Sequence, residues 1–147
     1  ITAAVVYLPA LDRLYTATVD GPALVDGEPA VCKTVGLADN PDILTSKTNL
    51  APQHWQGAPP VFRRSFRASL AYRLCLVADG SFDGMITFRD TWEWDIAAGS
   101  LIAQRAGAAV SDGHGAPLQF NGKTALTQGT LACAAPLHRD LVDRLKR

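Results

Sequence analysis

Two carboxylates, Glu93 and Asp95, stand at the start of WEWDIAAGSLIAQRAG (residues 92–107), whose other residues are mostly small or apolar. Asp95 lies at or just before the first turn of the helix predicted there, where free N–H groups and the helix dipole favour negative charge. One interpretation is a plain helix cap. The other is an oxygen ligand for a hard cation such as Mg²⁺, which often takes only one or two carboxylates from the protein. The residues alone leave both interpretations open.

The residues after Asp95 predict a tightly packed helix, which would hold that carboxylate rigidly. Gly99, Ala103 and Ala106 form a stripe of small residues, which allows another backbone to approach closely. Few positions between residues 95 and 106 are clearly polar. We therefore expect a helix that is packed on most of its sides, with Trp92 and Trp94 packed around it.

Other chemically capable side chains have simpler interpretations. Arg63, Arg64 and Arg67 form a small basic run, and an exposed strand edge explains it better than a phosphate site does. No carboxylate or cysteine lies at ligand spacing from any histidine, so we expect no catalytic role for these side chains. The histidines are His54, His114 and His138.

The cysteines predict a reducing environment. Cys32, Cys75 and Cys133 are odd in number and far apart, and no two share a metal-binding spacing. Each stands among apolar neighbours, which predicts buried, reduced thiols. We therefore expect a cytoplasmic protein.

The composition is that of a globular chain and excludes several classes of function. Of 147 residues, 48% are hydrophobic and 19% are charged, with a formal net charge of +0. Neutrality argues against a nucleic-acid partner. No apolar run reaches the ~18 residues that span a bilayer, and the first residues lack the basic region of a secretory signal. We expect neither a membrane nor a nucleic acid as partner.

The elements that must position these residues alternate between strands and helices, which predicts a layered α/β domain. Residues 1–8 and 14–20 predict an antiparallel hairpin, followed by a short strand between turns. The breaker-rich GLADNPD (residues 36–42) predicts a boundary that separates residues 1–35 from residues 36–147. Beyond it we predict strands over 43–46, 61–64, 84–88, 108–112 and 130–135, a short helix within 51–57, and helices over 68–80, 95–106 and 136–147.

The start of the sequence indicates that the chain is a piece of a longer protein. The chain opens on Ile1, inside an apolar strand-like run and without an initiator Met. We expect part of its functional machinery to lie upstream.

Three spaced segments carry a family resemblance. WEWDIAAGSLIAQRAGAAVSD (92–112) resembles the C-terminal signature of the inositol monophosphatase family, W-D-x-A-A-G followed by a helix, A-G-G and an acidic residue. ASLAYRLCLVADGSFDGMI (68–86) is similar to the family's G-S-x-x-x-x-x-x-x-A-x-G-x-x-D element. AAVVYLPALDRLYTATVDGPALVDGEP (3–29) is similar to its hairpin and the G-A-x-x-N-G turn that follows. The match covers nearly the whole chain.

The resemblance implies a fold and an activity. The family has a layered αβαβα fold, of which this chain would be the αβα C-terminal lobe, with a β-hairpin from the end of the N-terminal lobe. Its members are Mg²⁺-dependent, lithium-sensitive phosphomonoesterases, which implies a small phosphorylated metabolite as substrate and a homodimer for the full-length protein. Substrates in the family include inositol phosphates, sugar phosphates and 3′-phosphonucleotides.

The resemblance also assigns site residues. The Asp of W-D is a metal ligand, which assigns that role to Asp95, whereas the family's D-P-[IL]-D-G-T metal loop is absent from these residues. Ala68 and Ser69 stand for its G-S pair. Phe88 replaces a sugar-binding Glu seven residues before the W-D Asp, as in the bisphosphate-nucleotidase branch. TSKTN (45–49) is similar to that branch's S-R-S-H phosphate loop, which makes Ser46 and Lys47 substrate contacts.

Two functions therefore stand after the sequence alone. The first is the C-terminal part of a metal-dependent phosphatase that is inactive by itself, because one carboxylate is too few for a metal site. The alternative is a non-catalytic interaction or regulatory module that uses the same lobe, since a fold does not guarantee an activity.

Overall fold

Two β-sheets enclose a layer of two α-helices, and a third helix covers the far face of the second sheet, in a computed structural model that describes residues 1–146. This order confirms the predicted layered α/β fold. The proposed division at residues 36–42 falls between the two sheets and stays a prediction.

The first sheet is a four-stranded antiparallel meander with one buried and one exposed face. Its strands, in spatial order, are β1 (Ala3–Leu8), β2 (Arg13–Thr18), β3 (Leu24–Val25) and β4 (Glu28–Pro29). The inner face buries Tyr15 and Ala17 against the helix layer. Val5, Tyr7 and Leu14 are exposed, so apolar side chains of this sheet remain uncovered by the described residues.

The second sheet has five strands in the order β6-β5-β7-β9-β8. They are β5 (Asp42–Leu44), β6 (Arg63–Ser65), β7 (Gly84–Trp92), β8 (Ala109–Ser111) and β9 (Leu126–Cys133). β5 runs parallel to both β6 and β7, whereas β9 is antiparallel to β7 and to β8. The carboxyl ends of β5, β6 and β7 therefore lie at one edge of the sheet.

The helix layer lies between the sheets. α1 (Leu70–Ala78) and α2 (Glu93–Arg105) meet where a Cβ on Gly99 would lie 2.7 Å from the Leu74 Cβ. This contact confirms close helix packing at Gly99, the first residue of the predicted small-residue stripe. α3 (Ala135–Val142) packs Leu137 and Leu141 on the opposite face of the second sheet.

Both helices of the middle layer point the same way. The amide of Cys32 donates a hydrogen bond of 2.9 Å to the Ala106 carbonyl at the end of α2. Gly80, just after α1, stands against the Val31 carbonyl, 3.1 Å from where a Cβ would be. Because one short segment meets both C-terminal ends, the two N-terminal ends lie together at the other side of the layer.

Several predicted boundaries differ from the structure. β7 continues past residue 88 to Trp92 through a bulge, where Phe88 and Arg89 face the single residue Gly129. β9 begins at Leu126 rather than 130, because its first residues pair with this extension of β7. The last helix ends at Val142, short of the predicted end, and Arg147 lies outside the described residues.

The prediction that the three cysteines are buried and not paired in disulfides is confirmed. Burial raises the pKa of Cys75 to about 12 and also raises the pKa of Cys133. Within residues 1–146, no helix combines the length and apolar character that crossing a membrane requires.

Candidate active-site edge

Five of the six predicted site residues follow the carboxyl ends of the parallel strands. Ser46 and Lys47 follow β5, Ala68 and Ser69 follow β6, and Asp95 follows β7 by three residues. Ligands of α/β sheets bind in the crevice outside the carboxyl ends of strands. The shared direction of α1 and α2 also places Ser69 and Asp95 at the same end of the helix layer. We call this region the active-site edge.

Asp95 presents a free carboxylate. It is exposed in the first turn of α2, and it makes no hydrogen bond or ion pair within residues 1–146. The N-cap position belongs to Trp92, which leaves Asp95 without a capping bond. The helix-cap interpretation is therefore wrong in its geometry, although the dipole still favours a negative charge in this turn.

The neighbouring carboxylate is already engaged. The Glu93 carboxylate accepts hydrogen bonds from the backbone N–H groups of Asn121 (2.7 Å) and Gly122 (2.9 Å). The Glu93 amide in turn donates to the Ala125 carbonyl at 2.9 Å. Glu93 therefore fixes the loop before β9 and leaves Asp95 as the available acid of this turn.

The two tryptophans beside Asp95 do not pack around the helix as expected. The rings of Trp92 and Trp94 stack on each other with centroids 4.6 Å apart and 9° between their planes. Both are exposed, Trp94 by 66%. They form an outward-facing aromatic surface at the first turn of α2.

Asp95 fits a metal site as one contributor to a larger ligand set. Its oxygens are accessible and unbonded, as a ligand for a hard cation requires. No group of three or more His, Cys, Asp or Glu side chains within residues 1–146 converges in a way that could hold a metal ion. These residues would therefore need carboxylates from elsewhere to complete a metal site.

Ser69 caps α1 in a strained conformation. Its hydroxyl accepts a hydrogen bond from the Tyr72 amide at 3.3 Å. Its φ of 61° and ψ of 122° lie in a region that L-residues rarely occupy. Such strain persists where the surroundings impose it, and it clusters at functional sites. Ala68 precedes it as an exposed residue.

The loop after β5 is held by Asn49. The Asn49 amide group donates to the hydroxyls of Thr45 (2.8 Å) and Ser46 (3.1 Å), and its oxygen accepts from the Phe88 amide at 3.1 Å. Ser46 also lies 2.7 Å from the Thr48 hydroxyl. The network fixes the Ser46 hydroxyl at the active-site edge, while Lys47 is exposed beside it.

Phe88 lies apart from the other predicted substrate contacts. It shares the face of β7 that Ile86 occupies, toward α3, and its ring stacks on His54 with centroids 4.5 Å apart. Alternation along a strand sends Thr87 and Arg89 to the opposite face. The sequence spacing that paired Phe88 with the substrate does not account for this alternation or for the bulge.

A cavity of about 280 Å³ opens on the α1 side of β7, and we call it the arginine-lined cavity. Its lining consists of two arginines, one phenylalanine and four small polar residues, namely Arg73, Arg89, Phe66, Ser46, Thr48, Asn49 and Thr87. Arg73 is only 7% exposed, and burial lowers its pKa, with a smaller contribution from nearby Arg89. The cavity therefore concentrates positive charge beside Ser46.

One feature of the sequence marks Arg73 as unusual, although the apolar spacing used to predict α1 did not take it into account. Leu70, Leu74 and Val77 mark the buried face of α1, and Arg73 occupies the same face at helical spacing. A cation on an apolar face is unusual unless a partner or ligand compensates it. Arg89 had no such signal, because the bulge decides which way it points.

Two other titratable residues, Asp83 and His138, make structural contacts. Asp83 accepts a 2.8 Å hydrogen bond from the Asp42 amide and lies 3.8 Å from the Lys33 ammonium group. The His138 ring lies 2.8 Å from the Ser111 hydroxyl, and burial lowers its pKa. Arg63 and Arg64 are exposed on the edge strand β6, as the simpler interpretation predicted.

Known proteins resemble this chain in sequence. Residues 1–146 match the sequence profile described as "Inositol monophosphatase family". An inositol-1-monophosphatase of Rhizobium meliloti is 34% identical over 143 residues, which cover 90% of this chain and 50% of that protein. A putative Nus factor SuhB of Neisseria meningitidis is 53% identical over 53 residues, covering 36% of this chain and 19% of that protein.

Solved structures show the same fold. Inositol monophosphatase II of Staphylococcus aureus superposes with a TM-score of 0.80 at 20% identity, covering 97% of this chain and 55% of that chain. SuhB of Bartonella henselae gives 0.80 at 24% identity, with 97% and 58% covered. The chain thus spans little more than half the length of these structures. It belongs to the inositol monophosphatase family.

Proposed function

We propose that this chain forms the C-terminal part of a Mg²⁺-dependent phosphomonoesterase that acts on a small phosphorylated metabolite. The observation that carries the proposal is the free carboxylate of Asp95 at the edge where Ser46 and Ser69 also lie. A metal ligand and hydroxyl donors on neighbouring elements are the parts that a phosphate-ester site requires.

Each residue has a role that follows from its position. Asp95 would bind the cation while α2, packed by Gly99, keeps its carboxylate from shifting. The cation, when bound, supplies an activated water and neutralises charge on the phosphate. Ser46, Ser69 and Lys47 would orient the phosphate through hydrogen bonds and positive charge, and the first turn of α2 adds its dipole.

Two structures of one protein with the same fold support a small phosphorylated substrate. Staphylococcal structures of the same fold are described as bound to inositol monophosphate and to 2′AMP. The proposal carries that substrate class to this chain, together with the lithium sensitivity, cytoplasmic location and homodimeric assembly that the family resemblance implies. Phe88 has no place in it, because its ring faces the α3 side of the sheet.

The activity is proposed for a longer polypeptide rather than for this chain alone. The chain spans about half the length of the relatives described above, and residues 1–146 offer no complete metal cluster. Residues 1–35 would then continue an N-terminal lobe, and residues 36–147 would form the C-terminal one. By itself the chain should hydrolyse little substrate.

The test is a substitution in the polypeptide that joins this chain to its upstream half. Asp95→Asn keeps the size of the side chain and removes the charged ligand, so we expect at least a hundredfold loss of Mg²⁺-dependent phosphate release. Asp20→Asn, at an exposed turn, is the matched control and should retain activity. An unchanged kcat in Asp95→Asn would refute the metal-ligand role.

A second candidate function is a non-catalytic interaction module. The exposed Val5, Tyr7 and Leu14 of the first sheet and the stacked Trp92–Trp94 pair favour it, because exposed apolar patches often mark interaction surfaces. If the longer polypeptide releases no phosphate from inositol 1-phosphate or 2′-AMP at any Mg²⁺ concentration, this alternative replaces the phosphatase.

A further inference from the structure

We propose that a small cavity on the α3 face of the second sheet is an effector site for a phosphate group, separate from the active-site edge. Two histidines, two glutamines and one lysine surround the Phe88 ring there, namely His54, His114, Gln53, Gln128 and Lys146. We call it the two-histidine cavity. None of these residues has a part in the proposed phosphatase function, so the site does not depend on that activity.

His54 and Lys146 enter the cavity from two segments that pair with each other. The Lys146 amide donates a 2.9 Å hydrogen bond to the His54 carbonyl, beside an antiparallel bridge between Trp55 and Leu145. Side chains that lie opposite each other in such a pair are neighbours. The His54 ring stacks on Phe88 with 24° between the planes. Stacking and pairing together hold the imidazole beside the lysine.

His114 enters from a turn that rests on the floor of the cavity. The Gly113 amide donates to the Gln128 carbonyl at 2.8 Å. A Cβ on Gly113 would lie 3.3 Å from the Phe88 Cδ1 atom, so the turn packs directly on the ring. The backbone around His114 is therefore fixed against both β9 and β7.

The polar side chains of the cavity are unpaired. Within residues 1–146 the imidazoles of His54 and His114, the Lys146 ammonium and the two carboxamides make no hydrogen bond or ion pair with another protein group. Each of these groups carries N–H donors. Unpaired polar groups that converge on one cavity are the usual mark of a ligand site.

The charge of the lining favours an anion. Lys146 is cationic and no acidic residue lines the cavity. Asp112, two residues before His114, directs its Oδ1 atom to the turn itself, where it accepts from the amides of His114 (2.9 Å) and Ala116 (2.8 Å). Donors without an acceptor or a counter-charge therefore await a ligand that supplies both.

The number of donors and the size of the cavity indicate a phosphate group. Five donor side chains match the many acceptor lone pairs of a phosphate better than the two oxygens of a carboxylate. A volume of about 120 Å³ is roughly four times the ~30 Å³ share of one water. A single phosphate group fits that space, whereas a nucleotide does not.

A metal ion fits the cavity less well. Two imidazoles are ligands that Zn²⁺ or Cu²⁺ accepts, but the Lys146 ammonium repels a cation. No group of three or more His, Cys, Asp or Glu side chains in the described part of the chain could hold a metal ion. The lining therefore selects an anion over a cation.

The second sheet separates this cavity from the active-site edge. Phe88 lies on the α3 face of β7, whereas Thr87 and Arg89 line the arginine-lined cavity on the α1 face. A phosphate group in the two-histidine cavity is thus on the opposite side of the strand from Ser46. The position suits an effector rather than the group that is cleaved.

The first experiment titrates inorganic phosphate into this chain and follows the NMR signals at constant pH and ionic strength. We expect saturable shifts at Gly113, His114 and Gln128, with a dissociation constant in the millimolar range. Lys146→Met should weaken binding about tenfold, because one charge-assisted hydrogen bond is lost. His54→Gln should weaken it several fold. Lys123→Met, in the exposed loop before β9, is the matched control and should bind as the unaltered chain does.

Lys146 is exposed, so Lys146→Met should keep the thermal unfolding temperature of the unaltered chain, which separates lost binding from lost folding. Shifts confined to Ser46 and Ser69 would overturn the effector site, since they would assign all binding to the active-site edge. Equal affinities of the Lys146→Met and Lys123→Met variants would overturn it as well.

The second experiment tests the kind of anion and its source. Acetate should bind several fold more weakly than phosphate, and equal affinities would overturn the preference for a phosphate group. Ribose 5-phosphate then distinguishes the two sources of that group. Tighter binding than inorganic phosphate supports the site as one for a phosphorylated metabolite, and weaker binding supports it as one for the free ion. Because these titrations need no turnover, they decide the site even if the phosphatase proposal fails.

Discussion

Glu93 and Asp95 lie two residues apart in the first turn of α2, yet only one of them is bonded. Glu93 accepts two backbone hydrogen bonds from Asn121 and Gly122, whereas Asp95 accepts none within the described chain. The same turn thus contains one carboxylate that stabilises the fold and one that is free for a ligand.

This division predicts opposite effects on stability. Glu93→Gln should lower the free energy of unfolding by about 1–3 kcal/mol, because a charged acceptor of two N–H groups is lost. Asp95→Asn should cost less than about 1 kcal/mol, the size of a helix-dipole contribution. Urea unfolding followed by circular dichroism checks both. A larger loss for Asp95→Asn would show that this carboxylate is structural.

Replacing Ser69 with glycine should stabilise the folded chain. Glycine accepts the observed φ of 61° without the roughly 1–3 kcal/mol that strain costs, and as an N-cap it is only a few tenths worse than serine. We expect Ser69→Gly to raise the free energy of unfolding by about 1 kcal/mol and to lower phosphatase activity in the longer polypeptide.

The control for that prediction is Ser81→Gly, at a turn with ordinary backbone angles, which should be neutral or mildly destabilising. Chemical denaturation distinguishes the two variants. If Ser69→Gly gains stability and also keeps full activity, the hydroxyl has no role in substrate binding.

Two tyrosine–aspartate pairs allow a matched test of burial. The buried Tyr15 hydroxyl donates to Asp79 at 2.6 Å, linking the first sheet to α1, and burial raises the pKa of Tyr15. The exposed Tyr7 hydroxyl donates to Asp12 at 3.1 Å. Tyr15→Phe should cost about 1.5–3 kcal/mol, and Tyr7→Phe close to nothing. Similar costs in thermal unfolding would contradict the difference in burial.

At Gly99, where α1 and α2 meet, we expect Gly→Ala to change stability in the direction opposite to the one that helix propensity predicts. Propensity alone makes Gly→Ala in a helix favourable by about 1 kcal/mol. At Gly99, however, the added Cβ would meet Leu74, so we expect a net loss of about 1–3 kcal/mol. Gly36→Ala, where the nearest atom is 3.6 Å away, should be tolerated. Calorimetric melting of the two variants gives the comparison.

His138 should make stability depend on pH below neutrality. Its pKa in the folded chain is lowered by burial, so on acidification the unfolded chain binds the proton first. Stability should therefore fall as the pH drops below about 6.5, the ordinary histidine value. His138→Gln should flatten this part of the profile, and His114→Gln, at an exposed turn, should leave it unchanged. A steep slope that persists in His138→Gln would assign the effect to another group.

The helices and the layered α/β fold could be predicted from the sequence more closely than the arrangement of the candidate site. Apolar spacing located α1 and α2 within a few residues, because each buries a face against long neighbouring elements. The start of α2 was placed at Asp95 instead of Glu93, since the bonds from residues 121 and 122 are long-range and leave no local pattern. Trp92 and Trp94 were expected to pack around the helix, but their rings stack on each other and are exposed.

The sequence indicates candidate site residues where a motif marks them and gives no signal where three-dimensional geometry decides. Asp95 and Ser69 follow from the family signature and lie at the same end of the helix layer, and their roles in a site stay a prediction. Phe88 was misplaced because its distance from Asp95 along the chain conceals a bulge and the alternation of β7. Arg73 was overlooked because it lines a cavity together with Phe66 and Arg89, and this grouping exists only in three dimensions.

One short segment fixes the C-terminal ends of both helices of the middle layer, where Cys32 bonds to Ala106 and Val31 meets Gly80. At the opposite end, Lys47, Ala68, Arg89 and Asp95 are exposed. Exchanging such side chains carries little thermodynamic penalty. Substitutions at this exposed end should therefore change its surface chemistry, while the fixed C-terminal ends of the two helices preserve the architecture.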